Sequence, residues 1–82
     1  MLGMTCKNIH YPLHVIVVEE RPFGTVKVIA VQPGDGGTSI GYDYYNESAL
    51  LNPRHYTEIS REEFLAEYRK AVEQQIETLE NL

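Results

Sequence analysis

The run Leu13-His14-Val15-Ile16-Val17-Val18-Glu19 holds five aliphatic residues in seven positions, four of them β-branched, and reads as a strand. Glu20-Arg21-Pro22-Phe23-Gly24 follows with a Pro and a Gly and reads as a turn. A second run of the same kind, Thr25 to Gln32, then closes an antiparallel hairpin. Pro33-Gly34-Asp35-Gly36-Gly37 breaks the pattern again. Thr38 to Tyr45 sets Ile40, Tyr42 and Tyr44 against Ser39, Gly41 and Asp43, the period-two signature of a half-buried strand. Ser48-Ala49-Leu50-Leu51 has the length of one helical turn, which Asn52-Pro53 ends, and Tyr56 to Ile59 is a short candidate for a fourth strand.

After Ile59 the period changes to helical. Ser60-Arg61-Glu62-Glu63 is a capping box, in which the Ser hydroxyl accepts from the Glu63 amide and the Glu63 carboxylate reaches back to the Ser60 amide. Ile59 and Phe64 flank it as a hydrophobic staple, and Glu62 and Glu63 stand where the helix dipole favours negative charge. Phe64, Leu65, Tyr68, Ala71, Val72, Ile76, Leu79 and Leu82 then recur at helical spacing, with Gln75 as the polar residue within the stripe. Glu77 and Glu80 in the last turns oppose the dipole, so this end is expected to fray. These elements predict an α+β fold. A three- or four-stranded, mostly antiparallel sheet (β-β-β-(β)-α) packs on one C-terminal amphipathic helix in a single domain over residues 1–82, with residues 1–10 a flexible N-terminal segment.

The first two strands do not alternate cleanly. Leu13, Val15 and Val17 point one way and Ile16 and Val18 the other, while Val26, Val28 and Ala30 oppose Ile29 and Val31. One helix covers one face of a sheet. The other face is expected to present a patch of Ile16, Val18, Ile29 and Val31, larger than a monomer usually leaves open, and the simplest cover is a second subunit in a two-fold homodimer.

Composition narrows the function classes. Net charge is −5, from 12 acidic and seven basic residues, with no basic cluster, so nucleic acid and anionic membranes are not expected partners. No aliphatic run exceeds the four residues of Val15 to Val18, far short of a membrane span. Cys6 is alone, which excludes an intramolecular disulfide, and the N-terminus lacks the basic and apolar regions of a secretory signal; a reducing, cytoplasmic compartment is expected.

No catalytic residue, cofactor site or metal site is expected. Cys6, His10 and His14 share a four-residue spacing, but on extended backbone each such step covers about 13 Å, too long for one zinc ion. The glycines of Gly34–Gly37 precede a strand pattern rather than a helix, so they serve a turn and not a phosphate. Six tyrosines in 82 residues are many, and Tyr42, Tyr44 and Tyr45, with His55 in a nearby loop, form a candidate contact surface. The expectation is a small non-enzymatic protein-interaction or regulatory domain that self-associates. One alternative is a small-molecule site or minor enzyme with a pocket near Tyr42–Tyr45, His55 and Gly34–Gly37. Another is an acidic mimic of nucleic acid built on the glutamates of the helix.

Overall fold

In the computed structural model, which covers all 82 residues, the two β-branched runs form strands β2 (His14–Arg21) and β3 (Thr25–Gly34), joined through the Pro22–Gly24 turn. The alternating tyrosine segment is β4 (Gly37–Asn46), paired antiparallel with β3 along its whole length. A single turn, α1 (Glu47–Leu50), leads through a loop to β5 (Tyr56–Glu58), and α2 spans Arg61–Glu80. The sheet has five strands, one more than the upper expectation, and every pairing is antiparallel.

The added strand lies where a flexible segment was expected. Thr5–Asn8 forms β1, which sits inside the sheet in the order β4-β3-β2-β1-β5. Its sequence, Thr-Cys-Lys-Asn, has one apolar side chain, but that side chain is Cys6, fully buried opposite Val15 and Glu58. Thr5 Oγ1 donates to the Ile59 carbonyl at 2.6 Å, and Asn8 Oδ1 accepts from the amides of His10 and Tyr11 to close the turn after the strand. Pairing on both edges, rather than hydrophobicity, holds this segment.

Both faces of the sheet are covered, by different means. Cys6, Leu13, Val15, Val17, Val26, Val28, Leu50 and Tyr56 form one buried cluster. The chain leaves β4 at one edge and reaches β5 at the other, and Leu50 on that crossing lies 2% exposed in the cluster. On the opposite face Val31, Phe64 and Ala71 are buried, with Ile16, Ile29, Ile40, Ile59, Leu65 and Tyr68 packed around them under α2. Three of the four residues expected at a dimer interface, Ile16, Ile29 and Val31, are therefore filled from within the chain. Val18 is half-buried at a β-bulge, where the register shifts between Val17 and Glu19. The face expected to need a second subunit is the one the helix occupies.

The helix cap matches its sequence signature. Ser60 Oγ accepts from the Glu63 amide at 3.1 Å, and Ile59 and Phe64 share one cluster as a staple pair. The Glu63 carboxylate lies instead 3.6 Å from Lys7 on β1, tying the first helical turn to the sheet. Ser60→Ala is expected to lower stability by about 1 kcal/mol by removing the acceptor of an otherwise unpaired amide. Urea unfolding should show a lower midpoint at constant slope; an unmoved midpoint would mean that the cap contributes nothing.

Candidate functional site

β4 is the long edge of the sheet. It has ten residues against three in β5 on the other side, and nothing pairs with its outer flank. Asp43 is its one charged residue, and it carries no Pro or Lys of the kind that blunts an exposed edge. Alternation places Ile40, Tyr42 and Tyr44 on the helix side of the sheet, but α2 shields only the Ile40 end. Tyr42 and Tyr44 are left 68% and 56% exposed. A cation stands over each ring, Lys27 Nζ at 4.5 Å from the Tyr42 centroid and the Arg21 guanidinium at 5.3 Å from that of Tyr44. Glu19 accepts from Arg21 at 2.9 Å and completes a polar, aromatic platform beyond the first turn of the helix.

Tyr45 belongs to the other face. It packs edge-on to Tyr56, with 6.5 Å between ring centroids, against the cluster that Leu50 closes. Burial, followed by the neighbouring Tyr56 and Asp43, holds its phenol proton well above the usual tyrosine range, and burial likewise raises Tyr56. Burial and then Glu58 push the Cys6 thiol up from 9.0 to about 11. The native state thus keeps these three protons to higher pH than the unfolded chain does. The stability linked to them is complete below the unfolded values of 9.0 for Cys6 and 10.0 for the two tyrosines, and for Cys6 it is lost as pH rises toward about 11. The urea midpoint is expected to fall steadily above pH 9, the ordinary value of the thiol. A midpoint that rises or holds there would contradict this burial.

The pocket expected around the tyrosines, His55 and the glycine turn does not assemble. Tyr42 and Tyr44 are divided from Tyr45 by the thickness of the sheet. His55 lies beside His10, Nδ1 to Nε2 at 3.3 Å, where His10 Nε2 also donates to the Arg54 carbonyl at 2.9 Å and straps the β1–β2 turn to the loop before β5. Gly36 and Gly37 sit at the far tip of the β3–β4 hairpin, in an open depression of about 620 Å³ against Gln74, Thr78 and Leu79 of the helix end. No three His, Cys, Asp or Glu side chains converge as metal ligands, and no helix is long and apolar enough to cross a membrane.

Two surface features escape the sequence pattern. Phe23 stands fully exposed with φ of 63°, a left-handed conformation that a bulky residue adopts at a cost of about 1 kcal/mol or more. Gly24 beside it also has positive φ, so Pro-Phe-Gly forms a tight primed-type turn with phenylalanine where asparagine is usual. Along α2, Ile76 and Leu79 are 49% and 67% exposed, because the helix runs on past Thr38 to the hairpin tip. The periodicity marks these two residues as apolar stripe; that the sheet ends beneath them is a property of the topology.

No family model, curated protein or solved structure matches this chain.

Proposed function

We propose that this chain is a non-enzymatic protein-interaction or regulatory domain that works through the open edge of β4 and the Tyr42–Tyr44 platform. One observation carries the reading: a ten-residue edge strand, nearly free of charge, borders two exposed tyrosines. Such an edge accepts a strand from another chain through main-chain hydrogen bonds, and tyrosines beside it supply rigid contact area at low entropic cost. A reducing, cytoplasmic setting fits the single cysteine, which lies buried in an apolar core. The small-molecule reading has weaker support because its parts lie on separate regions of the surface. The acidic mimic has weaker support because Arg69 and Lys70 interrupt the carboxylate face of the helix.

A photo-crosslinking aromatic residue in place of Tyr42, introduced in the producing cell, tests the proposal. A discrete covalent adduct is expected at position 42 and not at a control position on the far side such as His55. No adduct at position 42, or the same adduct at both, would overturn it.

A further inference from the structure

Resting on that reading, we propose that the occupant of the β4 edge is a second copy of the chain, paired antiparallel about a two-fold axis at Gly41. The main chain selects this register. The Tyr44 amide donates to Oδ1 of the preceding residue, Asp43, at 2.8 Å, so it points away from β3. Antiparallel alternation then turns the N–H and C=O groups of Thr38, Ile40 and Tyr42 outward as well. The Thr38 carbonyl accepts from Gln75 Nε2 at 3.4 Å. Asp43 and Gln75 thus close the two ends of the edge and leave Ile40 and Tyr42 open between them.

A two-fold axis at Gly41 sets Ile40 of one copy against Tyr42 of the other, and the same pair again in reverse. The four main-chain groups of Ile40 and Tyr42 on each copy find partners, and neither the Tyr44 amide nor the Thr38 carbonyl has to give up its side-chain partner. An axis at Tyr42 would have to displace Asp43 from the Tyr44 amide, and an axis at Ile40 would have to displace Gln75 from Thr38. The side chains agree with the chosen register, since Asp43 then faces Ser39 of the second copy and no like charges meet.

Charge and shape complement each other on the helix side. On α2, Glu67 and Lys70 face Pro12 and His14, Gln74 accepts from Thr38 Oγ1 at 2.9 Å and Gln75 reaches the outward Thr38 carbonyl, so the exposed helix end with Ile76 and Leu79 overhangs the Thr38 end of the open edge. The last turn of α2 has no basic residue, and Glu77 and Glu80 there oppose the helix dipole. Antiparallel pairing brings this overhang toward the Tyr42–Tyr44 end of the second copy, where Lys27 and Arg21 stand. Each copy supplies the platform that the other's helix end lacks.

The test uses three variants and the full chain. Wild type is expected to sediment as a dimer at micromolar concentration. Tyr42→Pro removes an outward N–H, which an edge strand tolerates, and is expected to sediment as a folded monomer. Gly41→Cys is expected to form an intermolecular disulfide on mild oxidation. A non-hydrogen-bonded antiparallel pair sets Cα atoms about 4.5 Å apart, within the about 4.4–6.8 Å that a disulfide spans; the buried Cys6 does not compete. Ser39→Cys, off the axis, is expected not to crosslink. A monomeric wild type, or a dimer that Ser39→Cys locks and Gly41→Cys does not, would overturn the proposal. If the wild type is a monomer while the Tyr42 crosslinker still captures a protein of another mass, self-pairing fails and the interaction reading stands.

Discussion

Leu50→Ala is expected to lower the unfolding free energy by about 2–5 kcal/mol. Leu50 is 2% exposed, and with Val15, Val17, Val26 and Val28 it fills the face of the sheet away from the helix. A chain of 82 residues has a total stability of roughly 4–12 kcal/mol, at about 0.05–0.15 kcal/mol per residue. One truncated leucine therefore removes a large share. The cost has two sources, the lost transfer of the methyl groups out of water and the cavity they leave. Urea unfolding with an unchanged slope measures it. A loss under about 0.5 kcal/mol, the size of an ordinary surface change, would mean that the β4–β5 crossing does not seal this face.

Phe64→Ala is expected to cost about 3–5 kcal/mol, the usual range for a buried aromatic. The ring, 2% exposed, lies between Val31 and Ala71 and carries the contact of the first helical turns with Ile16 and Ile29. Its loss acts on the opposite side of the sheet from Leu50, with no shared neighbours, so the two effects should add. The double variant then exhausts the stability of the domain. It should lack a cooperative thermal transition even in the absence of denaturant, as calorimetry or circular dichroism would show. A double variant hardly worse than either single one would mean that the two clusters behave as one core.

The elements with local causes are legible in the sequence. Ser60, Glu63, Ile59 and Phe64 fix the start of α2 through contacts within one turn, and the hairpins follow from β-branched runs divided by Gly and Pro. Double-sided burial in β2 and β3 is also legible, since Val15 and Val17 alternate with Ile16 and Val26 and Val28 with Ile29. What covers each face is not. Ser48-Ala49-Leu50-Leu51 reads as a helical turn, and α1 is one, but only the strand order shows that it crosses the sheet and brings Leu50 over the valines. That crossing, with Met1 and Met4, covers the face away from the helix, while α2 covers Ile16, Ile29 and Val31, so the assignment of those three to an open surface fails. β1 carries no local signal, because its stability comes from β2 and β5 on either side. The platform is half legible: alternation separates Tyr42 and Tyr44 from Tyr45, whereas the end of helical cover beyond Ile40 depends on where α2 crosses the sheet.

The interior position of β1 also orders events during synthesis. The meander of β2, β3 and β4 joins neighbours in the chain and can close as soon as it leaves the ribosome. β1, the first strand made, has its second partner in β5, some fifty residues later, and the helix that seals the sheet follows last. At about 5–20 residues per second, the thiol of Cys6 and the inner edge of β1 wait several seconds for their cover. Nascent chains halted before Tyr56 should therefore hold an accessible cysteine and a raw strand edge, and both should vanish once residues 56–82 are released.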